Sequence, residues 1–320
     1  MDPNETAIVS RRHATDHWEQ QILRNVEVLE GLGISRDRAE HLVNEFVRIV
    51  QQFPPPSVLQ VFDDPSAPMP SELLTEAKSD GRAFMLEFLA PIMACVSVDG
   101  RHQLDRLAPL LGRIPITVVS NHLSHLDAPA IFWALWHASP TGRSLAERLV
   151  VLAGRFASQA KFARPALSLF SSLLVCSPTD MGENPGLHEL MGRINRHAFR
   201  QARRLQGTGR VLALFPEGTR SLDGRPGRFL ASLYPYLTDT VVLPIKLENL
   251  QALLPNSGLV FNKAAAALHF GEPVFVGTPP MGESAALVDS LQHIEGAHGE
   301  RTRQAVLDDV ASCGVQAISE

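Results

Sequence analysis

Ile116-Thr117-Val118-Val119-Ser120-Asn121-His122-Leu123-Ser124-His125-Leu126-Asp127 is the stretch from which the fold can be read. Ile116, Thr117, Val118 and Val119 are β-branched and show no polar alternation, as a strand covered on both faces requires. Asp127 precedes an apolar run of helical character, Ala128–Trp136, with Pro129 in its first turn. A strand that passes through a polar loop into a helix is half of a βαβ unit. In sheets built from such units, ligand sites form beyond the C-terminal ends of the strands. His122 stands at such an end.

The alternation continues in both directions. Short β-rich runs at Cys95–Val98, Ile116–Ser120, Leu149–Ala153, Leu173–Cys176, Val211–Phe215, Val241–Leu247 and Ala265–Phe270 are interspersed with helical runs such as Ala128–Trp136 and Leu187–Leu205. The expected fold is α/β, a mostly parallel mixed sheet flanked by helices. Residues 95–320 are assigned to this domain, with the part from Ser284 onward expected to be mostly helical. Residues 1–94 read as a small N-terminal helical bundle. Trp18, Ile22, Leu23, Val26 and Leu29 recur at helical spacing, and Gly31 and Gly33 can end that helix. Ser35 can cap the next, whose apolar face is Ala39, Leu42, Val43, Phe46, Val47 and Val50. Prolines 54–56, 65, 68 and 70 make a connector, and a third helical segment is expected from Ser71 to about Met93.

Composition narrows the function. The 320 residues are 45% hydrophobic and 20% charged, enough for a large core and incompatible with wholesale disorder. A net charge of −5 argues against a general nucleic-acid binder, while a local basic patch can still hold a phosphate. Cys95, Cys176 and Cys313 have neither metal-ligand spacing nor a disulfide framework and suit a reducing compartment. No stretch reaches the ~18–20 consecutive apolar residues of a membrane span. Phe84–Val98 is interrupted by Glu87 and Pro91, and Met1–Gln21 lacks the apolar core of a secretory signal. A soluble cytoplasmic protein is expected, with peripheral bilayer contact left open. Arg193, Arg196, Arg200 and Arg203 fall at helical spacing; a solvated helix face explains them, and anionic lipid or an acidic carrier protein is the alternative.

Two motifs carry chemistry. His122 is a general-base candidate because imidazole titrates near neutral pH. Asp127 can hydrogen-bond the other ring nitrogen, fixing the tautomer and stabilising the imidazolium. The competing explanation of Asp127 is a helix cap. His122, His125 and Asp127 are also three potential metal ligands, but their spacing differs from metallohydrolase signatures, and no metal is expected. The second motif is Phe215-Pro216-Glu217-Gly218-Thr219-Arg220. Gly218 permits a sharp turn and close ligand approach, Arg220 offers a fork suited to phosphate, and Glu217 can orient a hydroxyl or hold Arg220. A strand-end turn with a Glu–Arg ion pair is the plain alternative.

The two motifs in this order, followed by Val241-Val242-Leu243-Pro244-Ile245 and flanked by Val96–Gly100 and Phe270–Pro273, resemble the glycerol-3-phosphate and lysophosphatidate acyltransferase family. The resemblance covers roughly Val96 to Val276. Its middle part, Val150–Gly154, Arg164-Pro165, Leu173–Ser177 and Asn184–Leu205, is similar to the soluble, plastid-type glycerol-3-phosphate 1-acyltransferases. The resemblance implies acyl transfer from acyl-CoA or acyl carrier protein to a hydroxyl, without a cofactor. The implied acceptor is glycerol 3-phosphate at sn-1, in phospholipid biosynthesis, with lysophosphatidate as an alternative. His122 and Asp127 would be catalytic, and Glu217, Gly218, Thr219 and Arg220 would bind the acceptor phosphate. An apolar tunnel is expected near Ala128–Trp136, Phe170 and Leu173–Val175. The plastid-type Lys-His pair is replaced by Pro178-Thr179-Asp180, and Leu222 replaces a second arginine. Arg225, Arg228, Arg155, Lys161 and Arg164 are candidates to compensate. A non-catalytic acyl-thioester-binding protein is the rival from another class.

Overall fold

The computed structural model describes residues 18–66, 68–221, 224–225, 229–281 and 283–294. Its N-terminal part is helical, at Trp18–Leu23, Asn25–Gly31, Arg36–Gln52 and Arg82–Met93. The second helix ends in a Schellman turn: Gly33 N–H donates to Glu30 C=O and Ile34 N–H to Leu29 C=O, with Gly33 at φ 91°. Ser35 takes the N-cap position of the next helix, but its side chain makes no capping bond. That helix buries Ala39, Leu42, Val43, Phe46, Val47, Ile49 and Val50 and stops before the prolines. The first helical run is broken after Leu23, beside the buried amide of Asn25. Asn25 donates to Ile22 and Leu259 carbonyls and accepts from Phe261 N–H, which ties the N-terminal helices to the loop ahead of the strand Ala266–Phe270.

Among the described residues, ten strands form one mixed sheet: β1 Leu74–Thr75, β2 Val96–Asp99, β3 Ile116–Ser120, β4 Leu149–Gly154, β5 Ser171–Val175, β6 Val211–Leu214, β7 Thr240–Glu248, β8 Ala266–Phe270, β9 Val274–Val276 and β10 Gln292–Ile294. The order is β1-β5-β4-β6-β3-β7-β8-β2, with β9 on β7 and β10 on β9. The centre, β5 through β7, is parallel; β1, β8 and β9 each pair antiparallel. Every residue of β3 and β6 is buried. Ile116 and Val118 pack on one face with the helices Arg82–Met93 and Asp127–Ala138, and Val119 packs on the other with the helix His188–Gly207. The fold is therefore the mixed α/β sheet expected, and the N-terminal helices share its core: Phe46 stacks 4.7 Å from Phe88, whose ring lies 6.4 Å from Phe261.

One expectation is corrected. Only Arg82–Met93 of the segment from Ser71 is α-helical. Ahead of it, β1 pairs with the edge of β5, and buried Leu73 donates its N–H to Gln201 and accepts from Leu174 N–H. A strand of two residues has no periodicity to detect. From Glu283 a short helix, Glu283–Val288, leads into β10, and the rest of the segment expected to be mostly helical lies outside the described residues. Residues 295–320, with Cys313, lie outside the described residues, as do Leu222 and Arg228.

Candidate active site

The chain leaves β3 through a loop whose polar groups are tied to distant segments. Asn121 is buried; its Oδ1 accepts Leu247 N–H at 2.8 Å and its Nδ2 donates to Leu247 C=O at 2.9 Å. A side-chain amide here extends the pairing of β3 with β7 by one position and so fixes the direction of His122. The backbone of His122 belongs to the second motif: its N–H donates to Glu217 Oε1 at 2.9 Å, and its C=O accepts Ser221 N–H at 2.7 Å. Asn256, far along the chain, donates to Leu123 C=O at 2.9 Å and to Ser221 C=O at 3.2 Å, which joins both loops.

Asp127 is fully buried and is the first residue of the helix Asp127–Ala138. Its carboxylate does not cap that helix. Oδ2 turns back and accepts Leu123 N–H at 2.6 Å and Ser124 N–H at 2.9 Å, and lies 2.7 Å from His122 Nδ1. A carboxylate at that distance fixes the proton of the neutral ring on Nδ1 and leaves Nε2 as an acceptor. The ring stacks on Phe215 at 4.3 Å and keeps 23% of its side chain exposed, enough to meet a substrate. Ser124 Oγ donates to Leu254 C=O at 2.8 Å and accepts Leu126 N–H, a structural role.

The second motif leaves β6 in a turn in which Gly218 N–H donates to Phe215 C=O and Gly218 has φ 67°. Glu217 is buried and holds the His122 amide. Arg220 Nη1 lies 2.7 Å from His125 Nδ1, and its guanidinium lies 5.9 Å from the Phe156 ring. Thr219 is exposed on the turn and lines neither cavity described below. His125, given no role from sequence, is thus the neighbour of Arg220. With His125 turned to Arg220 and Asp127 to the loop amides, these side chains do not converge on a common point. No group of three His, Cys, Asp or Glu suited to a metal ion occurs among the described residues.

Two cavities meet at His122. The first, of about 210 Å³, runs between the sheet and the N-terminal helices. Its inner walls include Ile22, Phe46, Met85, Phe88, Phe170 and Phe261, and its polar end holds His122, His125 and Arg220. Phe170 lies where the tunnel expectation placed it; Leu173 and Leu174 instead pack in the core of the opposite face. The second cavity, of about 580 Å³, is bounded by the helix His188–Gly207 and by residues around Gly218 and Leu230–Tyr236. Val175, Phe199 and Tyr236 give it apolar walls, and Arg196 and Arg200 line it. Burial raises the Tyr236 phenol to about 12, so it stays neutral.

The proposed compensating cations are distributed differently. Arg164 lines the first cavity and donates to Phe53 C=O, Arg155 stacks 4.4 Å from the Phe62 ring, and Lys161 and Arg225 are exposed. Asp180, in place of an expected cation, closes a capping box: its Oδ2 accepts from Ser177 N–H and Oγ, and its own N–H donates to Ser177 Oγ. Burial, reinforced by the Asp180 charge, pushes the Cys176 thiol up to about 12, which removes it as a nucleophile.

No helix among the described residues is long and apolar enough to cross a membrane. No curated protein matches the sequence. Among solved structures, the 1-acyl-sn-glycerophosphate (LPA) acyltransferase PlsC from Thermotoga maritima is similar over 75% of this chain and 80% of that one, at 17% identity and a TM-score of 0.46. Residues 95–248, which carry β2 through β7 and both motifs, match the family model described as Acyltransferase.

Proposed function

We propose that this protein transfers a fatty acyl group from a thioester, on CoA or acyl carrier protein, to the hydroxyl of a phosphorylated glycerol acceptor. Glycerol 3-phosphate is the first acceptor to test. The observation that carries this reading is the pairing of buried Asp127 with the partly exposed imidazole of His122, which stands where an apolar cavity meets a second, cation-lined one. The match of residues 95–248 to the Acyltransferase family model supports it.

In this scheme the acyl chain lies in the cavity between the N-terminal helices and the sheet, with its carbonyl at the His122 end. Nε2 of His122 takes the acceptor hydroxyl proton while Asp127 stabilises the imidazolium. The hydroxyl oxygen forms a bond to the thioester carbon. The C–S bond then breaks, and the imidazolium returns its proton to the departing thiolate. No acyl-enzyme is needed, in keeping with the engaged hydroxyl of Ser124 and the protonated thiol of Cys176. Arg220, at the polar end of the first cavity, is assigned to anion binding, with Gly218 shaping its turn and Glu217 fixing the His122 loop.

The test is transfer from labelled acyl-CoA and acyl carrier protein to glycerol 3-phosphate, lysophosphatidate and neutral alcohols, with His122→Ala as the blank. His122-dependent product with glycerol 3-phosphate is expected. Product only with another acceptor moves the substrate and keeps the chemistry. Thioester binding without transfer to any acceptor would mean a binding protein instead.

A further inference from the structure

The second cavity has a chemistry of its own. Arg196 and Arg200 lie one turn apart on the helix His188–Gly207, and among the described residues no aspartate or glutamate lines the cavity with them. Their neighbours in the same stripe are engaged in structure. Arg193 donates to Pro65 C=O, and Arg203 donates to Thr238 C=O and to Gln206. Arg196, by contrast, makes no hydrogen bond or ion pair among the described residues, and the one recorded polar partner of Arg200 is His197 Nδ1 at 3.5 Å. Asp180 lies close by, but its Oδ2 is bound by the Ser177 N–H and hydroxyl. Arg196 and Arg200 are exposed, and two guanidinium forks lining a concave space whose walls are mostly apolar match a multiply charged small anion. The volume of about 580 Å³ is that of a ligand site. His122 and Gly218 line the same cavity, so a molecule held there can present a reacting atom to the imidazole.

We infer that Arg196 and Arg200 bind the phosphate of a phosphate ester whose other end reaches His122. The identity of that reacting end rests on the acyltransferase reading; the anion site does not. The cations of this site come from the middle of a helix, whereas Pro178-Thr179-Asp180 at the end of β5 supplies none.

The experiment compares wild-type protein with the double variants R196A/R200A and R196K/R200K. Calorimetry measures glycerol 3-phosphate and free coenzyme A separately at fixed ionic strength, and circular dichroism checks folding. Transfer to glycerol, which lacks phosphate, is followed in parallel. The alanine pair is expected to weaken one of the two phosphate esters by roughly tenfold or more. The lysine pair should recover part of that loss, and transfer from acyl-CoA to glycerol should hold if the site takes the acceptor and fall if it takes the donor. Loss confined to glycerol 3-phosphate assigns the site to the acceptor, and loss confined to coenzyme A assigns it to the donor. Unchanged affinity for both esters in a folded alanine variant, or no binding of either by the wild type, overturns the inference. Absence of acyl transfer by the wild type would sink the acyltransferase reading and leave the binding comparison intact.

Discussion

One oxygen of Asp127 meets the His122 ring and two backbone amides, so the dyad is held by the same bonds that hold the loop. Asp127→Ala should therefore cost stability as well as rate, about 1–3 kcal/mol for each buried amide left without a partner, measured by denaturant unfolding. His122→Ala should lower turnover by ~10²–10⁴ with little change in the unfolding midpoint, since its ring is partly exposed. A variant with near wild-type turnover would remove His122 from the mechanism. The raised Cys176 pKa gives a separate check. At pH 8 its thiolate fraction is minute, so iodoacetamide followed by peptide mapping should modify Cys95, which is partly exposed, and leave Cys176 intact. The dyad was legible because His122 and Asp127 are close in sequence and belong to one loop. Asn121 and Asn256 were not, because their partners lie 126 and 133 residues away and nothing local marks an amide as a loop clamp.

At the scale of elements, the turn after β6 and the loop after β3 behave as one piece. Asn256 donates to both, and Ser221 and Glu217 bind the backbone of His122. Asn256→Ala is expected to lower kcat and raise the acceptor KM together, where an effect on one alone would show that the loops are independent. Gly218→Ala places a Cβ at φ 67° and 2.5 Å from Leu230 Cδ1. The flexible leucine end can move, so the left-handed backbone is the main cost, about 1–2 kcal/mol. The same comparison explains what could be read in advance. Apolar runs identified β3, β4, β6, β7 and β8 to within about one residue at each end, most plainly in β3 and β6, where every residue is buried and no exposed position confuses the pattern. The strands β1, β9 and β10 have two or three residues and are defined by the edge they join, which a sequence does not display. The arginines of the helix His188–Gly207 were found as a stripe, but only the packed sheet separates the pair that lines a cavity from the pair bound to carbonyls.

At the scale of the whole molecule, the N-terminal helices supply one wall of the apolar cavity, through Ile22, Phe46, Met85 and Phe88. Ile22→Trp should narrow the end distant from His122 and shift the preference toward shorter acyl thioesters, read from a chain-length series. An unchanged profile would place the acyl chain elsewhere. The meeting of two cavities at a single imidazole has a further consequence. A base cannot distinguish the hydroxyl of an alcohol from that of water. If the apolar cavity holds the acyl thioester as proposed, then with its neighbour vacant His122 faces solvent, and slow thioester hydrolysis is expected. Free fatty acid should therefore accumulate in proportion to the shortage of acceptor and fade as acceptor saturates. On the proposed reading, occupancy of the neighbouring cavity is what keeps the activated acyl group from being wasted.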